Sequence, residues 1–533
     1  MGCLAKFVLM MLWLRPLASA SGAVYQYSVQ DGDRRVYLWV PPTCGHVRGL
    51  IVAFKNLTEQ LWLEDPVIRA AASDECLGIV WVGNGHQSQL SADVDDRAGQ
   101  AFLQMEQHLA EVSELPEIAN APVIAMGHSA HGQFAWKFAE WAPERTIAAI
   151  PIKTVPLPPD LQLRGVPLLY LVGETTEWPQ FRESNRVGDR DYFWQVVRNS
   201  AIQLRQADPA QPIAVAVDPG GGHFDWSPQD AKVVAMFIRK ACALRLHPGI
   251  PDMHSRSQLR TIPFESGWLM DSGGIEPDRY PAASVSSYWG PKDRAYWIFD
   301  GEMAASIAAL QGDRKPRRIQ MLSFVQDGVV LPVAVQGFAP LEFEPDADDV
   351  SFPLNPVFLD VMPRELNGAG TKIGNDAAPI QLTVITGPIE QIGPRSFRYA
   401  ESREAGSDAW IEEEAAGNDV YRRAVQPGKM HFRTNEGGAE QAIHFPPIPN
   451  QRAGTHAIKL HAESTSGLPV RFYVISGPAR ITGNELEFSE VPRCGAKQMQ
   501  VIVMAYQEGR PARGDQSAVR AATPVTRQFL LGR

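Results

Sequence analysis

The sequence predicts an α/β fold for the first half of the chain and β-structure for most of the second half. Up to about residue 247, short apolar runs that are typical of buried parallel strands alternate with segments of helical periodicity. Beyond about residue 317, short alternating segments are separated by Gly, Pro, Asp and Asn, as in antiparallel strands and their turns. At 533 residues, the chain is long enough for several domains.

The predicted elements of the first half follow one another in a regular order. Alternating residues on either side of Asp31-Gly32-Asp33 predict a hairpin. Continuous apolar runs predict strands at residues 49–54, 77–82, 121–126, 166–172 and 212–217. Apolar residues at helical spacing between positions 101 and 112 predict a helix, and the capping box of Ser227 and Asp230 predicts the start of another. Strands that alternate with helices favour a mostly parallel sheet.

The segment Gly127-His128-Ser129-Ala130-His131-Gly132 lies between the strand predicted at 121–126 and a predicted helix at 133–142. A serine on a tight strand-to-helix turn, flanked by small residues, is typical of a hydrolase nucleophile. The helix start behind it offers backbone N–H groups to a developing oxyanion. The alternative interpretation is a turn that only connects a strand to a helix.

A candidate general base follows the strand predicted at 212–217, where the sequence reads Asp218-Pro219-Gly220-Gly221-Gly222-His223. A histidine on a glycine-rich loop past a strand can reach the carboxyl edge of the sheet, where open α/β sheets bind ligands. We therefore predict that His223 accepts the proton of Ser129. The alternative is a loop histidine in a structural hydrogen bond.

The serine turn and the later histidine resemble an α/β-hydrolase of the secreted esterase type, over roughly residues 23–246. The resemblance implies that a carboxylate following the strand at 166–172 orients the histidine. Its usual place is about three residues beyond the strand-ending glycine, and Thr176 stands there. The candidates are Glu177, which we favour, then Glu174, then Asp189 or Asp191.

The resemblance also implies an oxyanion hole. One donor is the N–H of Ala130, and the second follows the strand at 49–54, at Lys55 or Asn56. The sequence departs from the family because it lacks His-Gly-Gly-Gly there and because His131 replaces the last glycine of the serine motif. Gly132 could supply the close approach to the sheet instead, with His131 as a buried spacer or a pocket residue.

Composition and the N-terminus limit the possible partners. The net charge of −10 provides no basic surface for nucleic acid. Residues 1–20 combine a charged end, a short apolar region and Ala18-Ser19-Ala20, which predicts a signal peptide and therefore secretion, either extracellular or periplasmic. No other apolar segment is long enough to predict a membrane span. No cysteine or histidine cluster predicts a metal, and hydrolases of this type need no cofactor.

Secretion would place the mature cysteines in an oxidising compartment. Cys44, Cys76, Cys242 and Cys494 remain after removal of the signal peptide, and they allow three pairings. We favour a disulfide between Cys44 and Cys76, because these residues flank the early strands.

The remaining chain is predicted as a linker or packing region at 248–316, a β-rich module at 317–449 and a further module at 450–533. The aromatic run at 288–299 is either a sugar-stacking surface or a hydrophobic anchor. The last module, with Ser466-Gly467-Leu468-Pro469 and Ser476-Gly477-Pro478, resembles immunoglobulin-like β-sandwich repeats of bacterial exported proteins. Gly387-Pro388 echoes the second of these motifs and indicates two related modules.

These observations together predict a secreted serine hydrolase that cleaves carboxylic esters through an acyl-enzyme. Export and appended β-modules favour an ester on an extracellular polymer such as a polysaccharide. The alternatives are a peptidase of the same fold and an exported binding or adhesion protein without catalytic activity.

Overall fold

The computed structural model describes residues 24–32, 34–83, 96–174, 193–248, 259–273, 279–312, 317–332, 337–363, 370–452 and 454–533. Within these residues, the first half is built on eight strands: β1 (Tyr27–Asp31), β2 (Arg34–Trp39), β3 (Gly49–Phe54), β4 (Leu77–Val82), β5 (Val123–His128), β6 (Thr146–Ile152), β7 (Leu168–Gly173) and β8 (Ile213–Asp218). The helices described here are α1 (Glu59–Leu63), α2 (Pro66–Asp74), α3 (Asp96–Ser113), α4 (Gln133–Trp141), α5 (Phe193–Ala207) and α6 (Pro228–Arg245).

The eight strands form one sheet in the order β1-β2-β4-β3-β5-β6-β7-β8. The hairpin of β1 and β2 is antiparallel and so is the pairing of β2 with β4, whereas all neighbours from β4 to β8 are parallel. Every residue of β3 to β8 is buried, so both faces of the sheet are covered. This mostly parallel sheet has the strand order of an α/β-hydrolase fold, which confirms the fold predicted for the first half.

Most of these strands lie where the apolar runs predict them. β3 and β4 coincide with the predictions, and β5 and β8 begin and end within two residues of theirs. The capping box is also confirmed, because Ser227 Oγ accepts from the Asp230 N–H at 3.1 Å and Asp230 Oδ2 accepts from the Ser227 N–H at 2.9 Å. β6 was not predicted from the sequence; its seven residues include two alanines and a proline.

The disulfide between Cys44 and Cys76 is present, as predicted, with their Cα atoms 5.6 Å apart. It ties the segment before β3 to the segment before β4. Cys242 and Cys494 are buried free thiols. Within the described residues, no helix combines the length and the apolar composition that a membrane span requires.

The aromatic run near residue 290 belongs to the core of the first half. Tyr296, Trp297 and Phe299 are buried in the same apolar cluster as the sheet. Helix α7 (Gly301–Gln311) packs there through buried Met303 and Ile307. These buried residues therefore act as a hydrophobic anchor, whereas Trp289 of the same run is 70% exposed.

The second half contains mostly antiparallel strands around two large apolar cores, with a small third cluster of Leu322, Ala415 and Ala424. The first β unit (residues 317–432) has a core that includes Phe324, Phe352 and Ile411. Its described strands are β12 (Leu322–Gln326), β13 (Val329–Val330), β14 (Ala339–Leu341), β15 (Ser351–Pro353), β16 (Asn355–Phe358), β17 (Gln381–Thr386), β18 (Ile389–Gly393), β19 (Ser396–Tyr399), β20 (Asp408–Ala415) and β21 (Ala424–His431). Before them, β9 (Trp268–Met270), β10 (Ala283–Ser284) and β11 (Tyr296–Ile298) form a small sheet beside α7.

The second β unit (residues 443–533) has its own core, which includes Phe472, Val503 and Phe529. Its described strands are β22 (Ile443–His444), β23 (Ala457–Lys459), β24 (Glu463–Ser464), β25 (Arg471–Ser476), β26 (Ala479–Thr482), β27 (Glu485–Phe488), β28 (Gln498–Tyr506) and β29 (Val525–Gly532). Gly387 and Gly477 both have φ of 116°, and both follow an irregular pairing at the end of a strand. The two β units therefore share the local structure that the repeated Gly-Pro motif predicts.

We expect the disulfide to stabilise the α/β half. The sequence separation of 32 residues predicts that the Cys44→Ser/Cys76→Ser variant loses about 3–4 kcal/mol in free energy of unfolding, because the unfolded chain gains conformational freedom. Urea unfolding followed by tryptophan fluorescence measures this, with reduced wild-type protein as the control. Equal midpoints for the oxidised protein and the variant would contradict the expectation.

Candidate active site

Ser129 lies on the turn between β5 and α4, at the carboxyl edge of the sheet. Its φ of 53° is in the left-handed region, which is strained for a residue with a side chain. Two donors hold its carbonyl oxygen: the Thr154 hydroxyl at 2.6 Å and the Gly132 N–H at 3.0 Å. The turn therefore projects the side chain away from the strand, as a nucleophile elbow does.

Two glycines make this sharp turn possible. A Cβ on Gly127 would lie 2.2 Å from the carbonyl oxygen of His131, and a Cβ on Gly132 would lie 2.4 Å from Thr154 Cβ. Gly132 thus supplies the close approach that the family motif assigns to the position of His131. The His131 ring stacks on Phe54 with centroids 6.2 Å apart, and burial lowers its pKa to about 4.

His223 lies within hydrogen-bonding distance of the serine. Its Nε2 is 2.9 Å from Ser129 Oγ. His128 Nε2 lies 2.7 Å from the carbonyl oxygen of His223, and it donates because a carbonyl can only accept. Burial, together with the charge of Lys153, lowers the pKa of His223 to about 3. The imidazole is therefore neutral at pH 7 and can accept the serine proton.

Of the candidate acids, Glu174 alone lies within the described residues. Its Oε2 accepts from the Gly220 N–H at 2.8 Å, and its Oε1 lies 2.6 Å from Arg422 Nη1. This carboxylate therefore ties the start of the histidine loop to an arginine of the first β unit. Glu177, Asp189 and Asp191 lie outside the described residues.

The candidate oxyanion donors differ in whether their N–H groups already have a hydrogen-bond acceptor. Ala130 is exposed, and its N–H has no acceptor in the part of the chain that the structure describes. The Lys55 N–H donates to Val82 O at 2.7 Å, and its ammonium group donates to Thr386 Oγ1 at 2.7 Å. The Asn56 N–H donates to Glu59 Oε2 at 2.8 Å, whereas the Asn56 side-chain amide donates to His128 O at 3.2 Å. The second proton of this amide is the one that remains for an oxyanion.

Glu59 is a residue that the sequence analysis missed. Its fully buried carboxylate accepts from backbone N–H groups of the loop after β3, including that of Asn56. Burial raises its pKa to about 7, although the charge of Lys55 acts in the opposite direction. A glutamate three residues after a loop N–H can accept from it, as in a capping box, so the spacing of Asn56 and Glu59 could have indicated this contact, although the N-cap of α1 is Thr58.

A buried group of charges beneath the histidine loop was also missed. Lys153, at the end of β6, donates from Nζ to Asp225 O at 2.7 Å and lies 3.7 Å from Asp218 Oδ2. Arg423 of the first β unit lies against the same two aspartates. Asp218 and Asp225 flank His223 and were visible in the sequence, but Lys153 and Arg423 gave no local signal.

The first β unit contacts the same edge of the sheet with apolar residues. The rings of Phe224 and Trp410 lie 4.7 Å apart, and Phe338 lies 5.1 Å from Trp410. Phe224 is the direct neighbour of His223, and its ring contacts the imidazole at 4.8 Å. The candidate site therefore lies at the boundary between the α/β half and the first β unit.

Comparisons with known proteins give little similarity in sequence. No protein-family model and no curated protein matches the chain. S-formylglutathione hydrolase FrmB from Staphylococcus aureus is 14% identical over 40% of this chain and 98% of its own, with a TM-score of 0.29. The poly(3-hydroxybutyrate) depolymerase LpqC from Bordetella parapertussis is 17% identical over 43% of this chain and 93% of its own, with a TM-score of 0.27. Because these scores are low, the fold assignment is based on the strand order and the serine turn of this chain itself.

The elbow should not tolerate a side chain at position 132. We expect Gly132→Ala to lower the free energy of unfolding by about 1–3 kcal/mol, because the new methyl group would overlap Thr154. A displaced Ser129 should also lower kcat by about a hundredfold in any hydrolysis that uses it. Gly45→Ala is the matched control, since a Cβ there meets no atom within 4 Å. Equal stability and turnover in the two variants would contradict this account of the turn.

Proposed function

We propose that this protein is a serine hydrolase that cleaves carboxylic esters through an acyl-enzyme on Ser129. The observation that carries the proposal is the 2.9 Å contact between Ser129 Oγ and His223 Nε2, with the serine on a strained turn at the carboxyl edge of a mostly parallel sheet. A neutral, buried imidazole beside a half-buried serine hydroxyl is the arrangement that nucleophilic catalysis requires.

The reaction follows from these contacts. Ser129 Oγ attacks the ester carbonyl carbon while His223 Nε2 takes the hydroxyl proton. The negative oxygen that forms is stabilised by the Ala130 N–H and by the free proton of the Asn56 amide. The C–O bond to the alcohol then breaks, and His223 returns the proton to the leaving alkoxide. Water attacks the acyl-enzyme with the same proton transfers and releases the acid.

Glu177 is our choice for the carboxylate that orients His223. Glu174 already binds the Gly220 N–H and Arg422, and the α/β-hydrolase resemblance implies an acid in this loop. A carboxylate at this place would stabilise the imidazolium that forms during attack. Lys55 has both its backbone N–H and its ammonium group in other hydrogen bonds, which favours Asn56 as the second oxyanion donor.

We further propose that the enzyme is exported and that its substrate is an ester on an extracellular polymer, such as an acylated polysaccharide. The N-terminal sequence and the Cys44–Cys76 disulfide support export. The two β units, which account for most of the chain beyond residue 317, support a function outside the cell, where such modules commonly act as spacers or binding supports.

The nucleophile is tested by Ser129→Ala in hydrolysis of p-nitrophenyl acetate. We expect turnover to fall by at least about a thousandfold, because the remaining oxyanion donors provide only a small part of the rate enhancement. Ser287→Ala is the control, because Ser287 is an exposed serine outside the site. Equal turnover by the Ser129 variant would contradict the proposal, and cleavage of a chromogenic peptide without ester cleavage would favour a peptidase.

The choice of acid is tested by comparing Glu177→Gln with Glu174→Gln. We expect the first to lower kcat by about 10³–10⁴-fold, as when the orienting carboxylate of a triad is neutralised. Glu174→Gln should lower kcat by less than about tenfold, because glutamine can still accept from the Gly220 N–H. The reverse ranking would show that Glu174 is the orienting acid.

A further inference from the structure

Two consecutive arginines of the first β unit reach the loop that carries His223. Arg422 Nη1 lies 2.6 Å from Glu174 Oε1, and the other oxygen of Glu174 accepts from the Gly220 N–H at 2.8 Å. Through this carboxylate, Arg422 holds the start of the histidine loop, three residues before His223.

Arg423 binds the same loop directly on the other side of His223. Its Nη1 and Nη2 donate to the two oxygens of Asp225, each at 2.8 Å. Its Nε donates to Glu414 Oε1 at 2.7 Å, which fixes the guanidinium from within the first β unit. This fork-to-fork geometry sets both the position and the angle of the Asp225 carboxylate.

The backbones of the loop and the β unit are also in direct contact. Gly220 has φ of 71°, and a Cβ at this position would lie 2.4 Å from the carbonyl oxygen of Arg423. Residue 220 therefore has to be glycine for the first β unit to pack this closely. The histidine loop is held from outside its own domain at Gly220 and at Asp225.

The buried carboxylates beneath the loop receive one cation from each half of the molecule, and Asp230 and Glu412 are buried beside them. Asp218 and Asp225 are buried, with Lys153 on the side of the sheet and Arg423 on the side of the β unit. Burial alone would raise the pKa of Asp225, but Arg423 and Lys153 hold it below its ordinary value. Without Arg423, Lys153 is the remaining cation among the described members of this cluster.

We propose that Arg423 is a positioning residue for His223, so that the first β unit completes the active site of the α/β half. The inference depends on the hydrolase function proposed above. The Arg423–Asp225 pair holds the loop so that Nε2 stays 2.9 Å from Ser129 Oγ. A displacement of about 1 Å at such a contact can lower the rate about a hundredfold.

The test compares Arg423→Gln and Arg423→Lys with a control at the same domain boundary. Tyr37→Phe serves as this control, because it removes the 2.8 Å hydrogen bond to Glu404 of the β unit and touches neither Ser129 nor the histidine loop. Steady-state kinetics with p-nitrophenyl acetate and hydrogen exchange of residues 219–226 are measured for all variants, with Ser129→Ala in the same assay.

We expect Arg423→Gln to lower kcat about a hundredfold, with KM changed by less than about threefold. Arg423→Lys should recover part of this loss, because lysine keeps the charge but cannot bind both carboxylate oxygens as a planar fork. Exchange of the histidine loop should accelerate in the glutamine variant and stay unchanged in Tyr37→Phe. If Arg423 only stabilised the domain boundary, Tyr37→Phe would lower kcat as much as Arg423→Gln does when both variants lose the same amount of melting temperature.

A folded Arg423→Gln protein with wild-type kcat would overturn the inference while leaving Ser129 as the nucleophile. Where that variant does not fold, Arg423→Lys decides: a kcat equal to wild type overturns the inference, and a loss with unchanged KM supports it. Turnover that survives Ser129→Ala would overturn both this inference and the proposed function.

Discussion

The contact between Ser129 and His223 depends on two pieces of backbone that are fixed independently. The serine is held by its own strand-to-helix turn, where Thr154 and Gly132 bind its carbonyl oxygen. The histidine lies on a glycine-rich loop after β8, and such a loop has little conformational preference of its own. Its position therefore has to come from the groups that bind it.

Those groups are mostly charged and buried, and they come from both halves of the molecule. Buried ion pairs contribute little net stability, since the cost of desolvation offsets the attraction, but removing one partner is strongly unfavourable. The arrangement of Lys153, Asp225 and Arg423 is thus better suited to fixing geometry than to stabilising the fold. The first β unit packs on the same carboxyl edge of the sheet with apolar residues, where Trp410 covers Phe224.

The sequence predicts the features whose signals are local. The strands around the site are continuous apolar runs, and the turn at Ser129 carries its motif within six residues. The order along the chain, with the serine before the histidine, is the one expected for the predicted fold. Arg423 could not be predicted, because it is 198 residues from Asp225 along the chain and nothing around it indicates a buried partner. Lys153 was missed with β6, whose composition is too ordinary to identify a strand next to the site.

The most direct test of the central claim is to locate the covalent adduct of a fluorophosphonate by mass spectrometry. The reagent reacts with a serine only where a neighbouring base activates the hydroxyl. The account predicts a single adduct on Ser129 in the native protein and none in His223→Ala. An adduct at another serine, or equal labelling of Ser129 without His223, would contradict it.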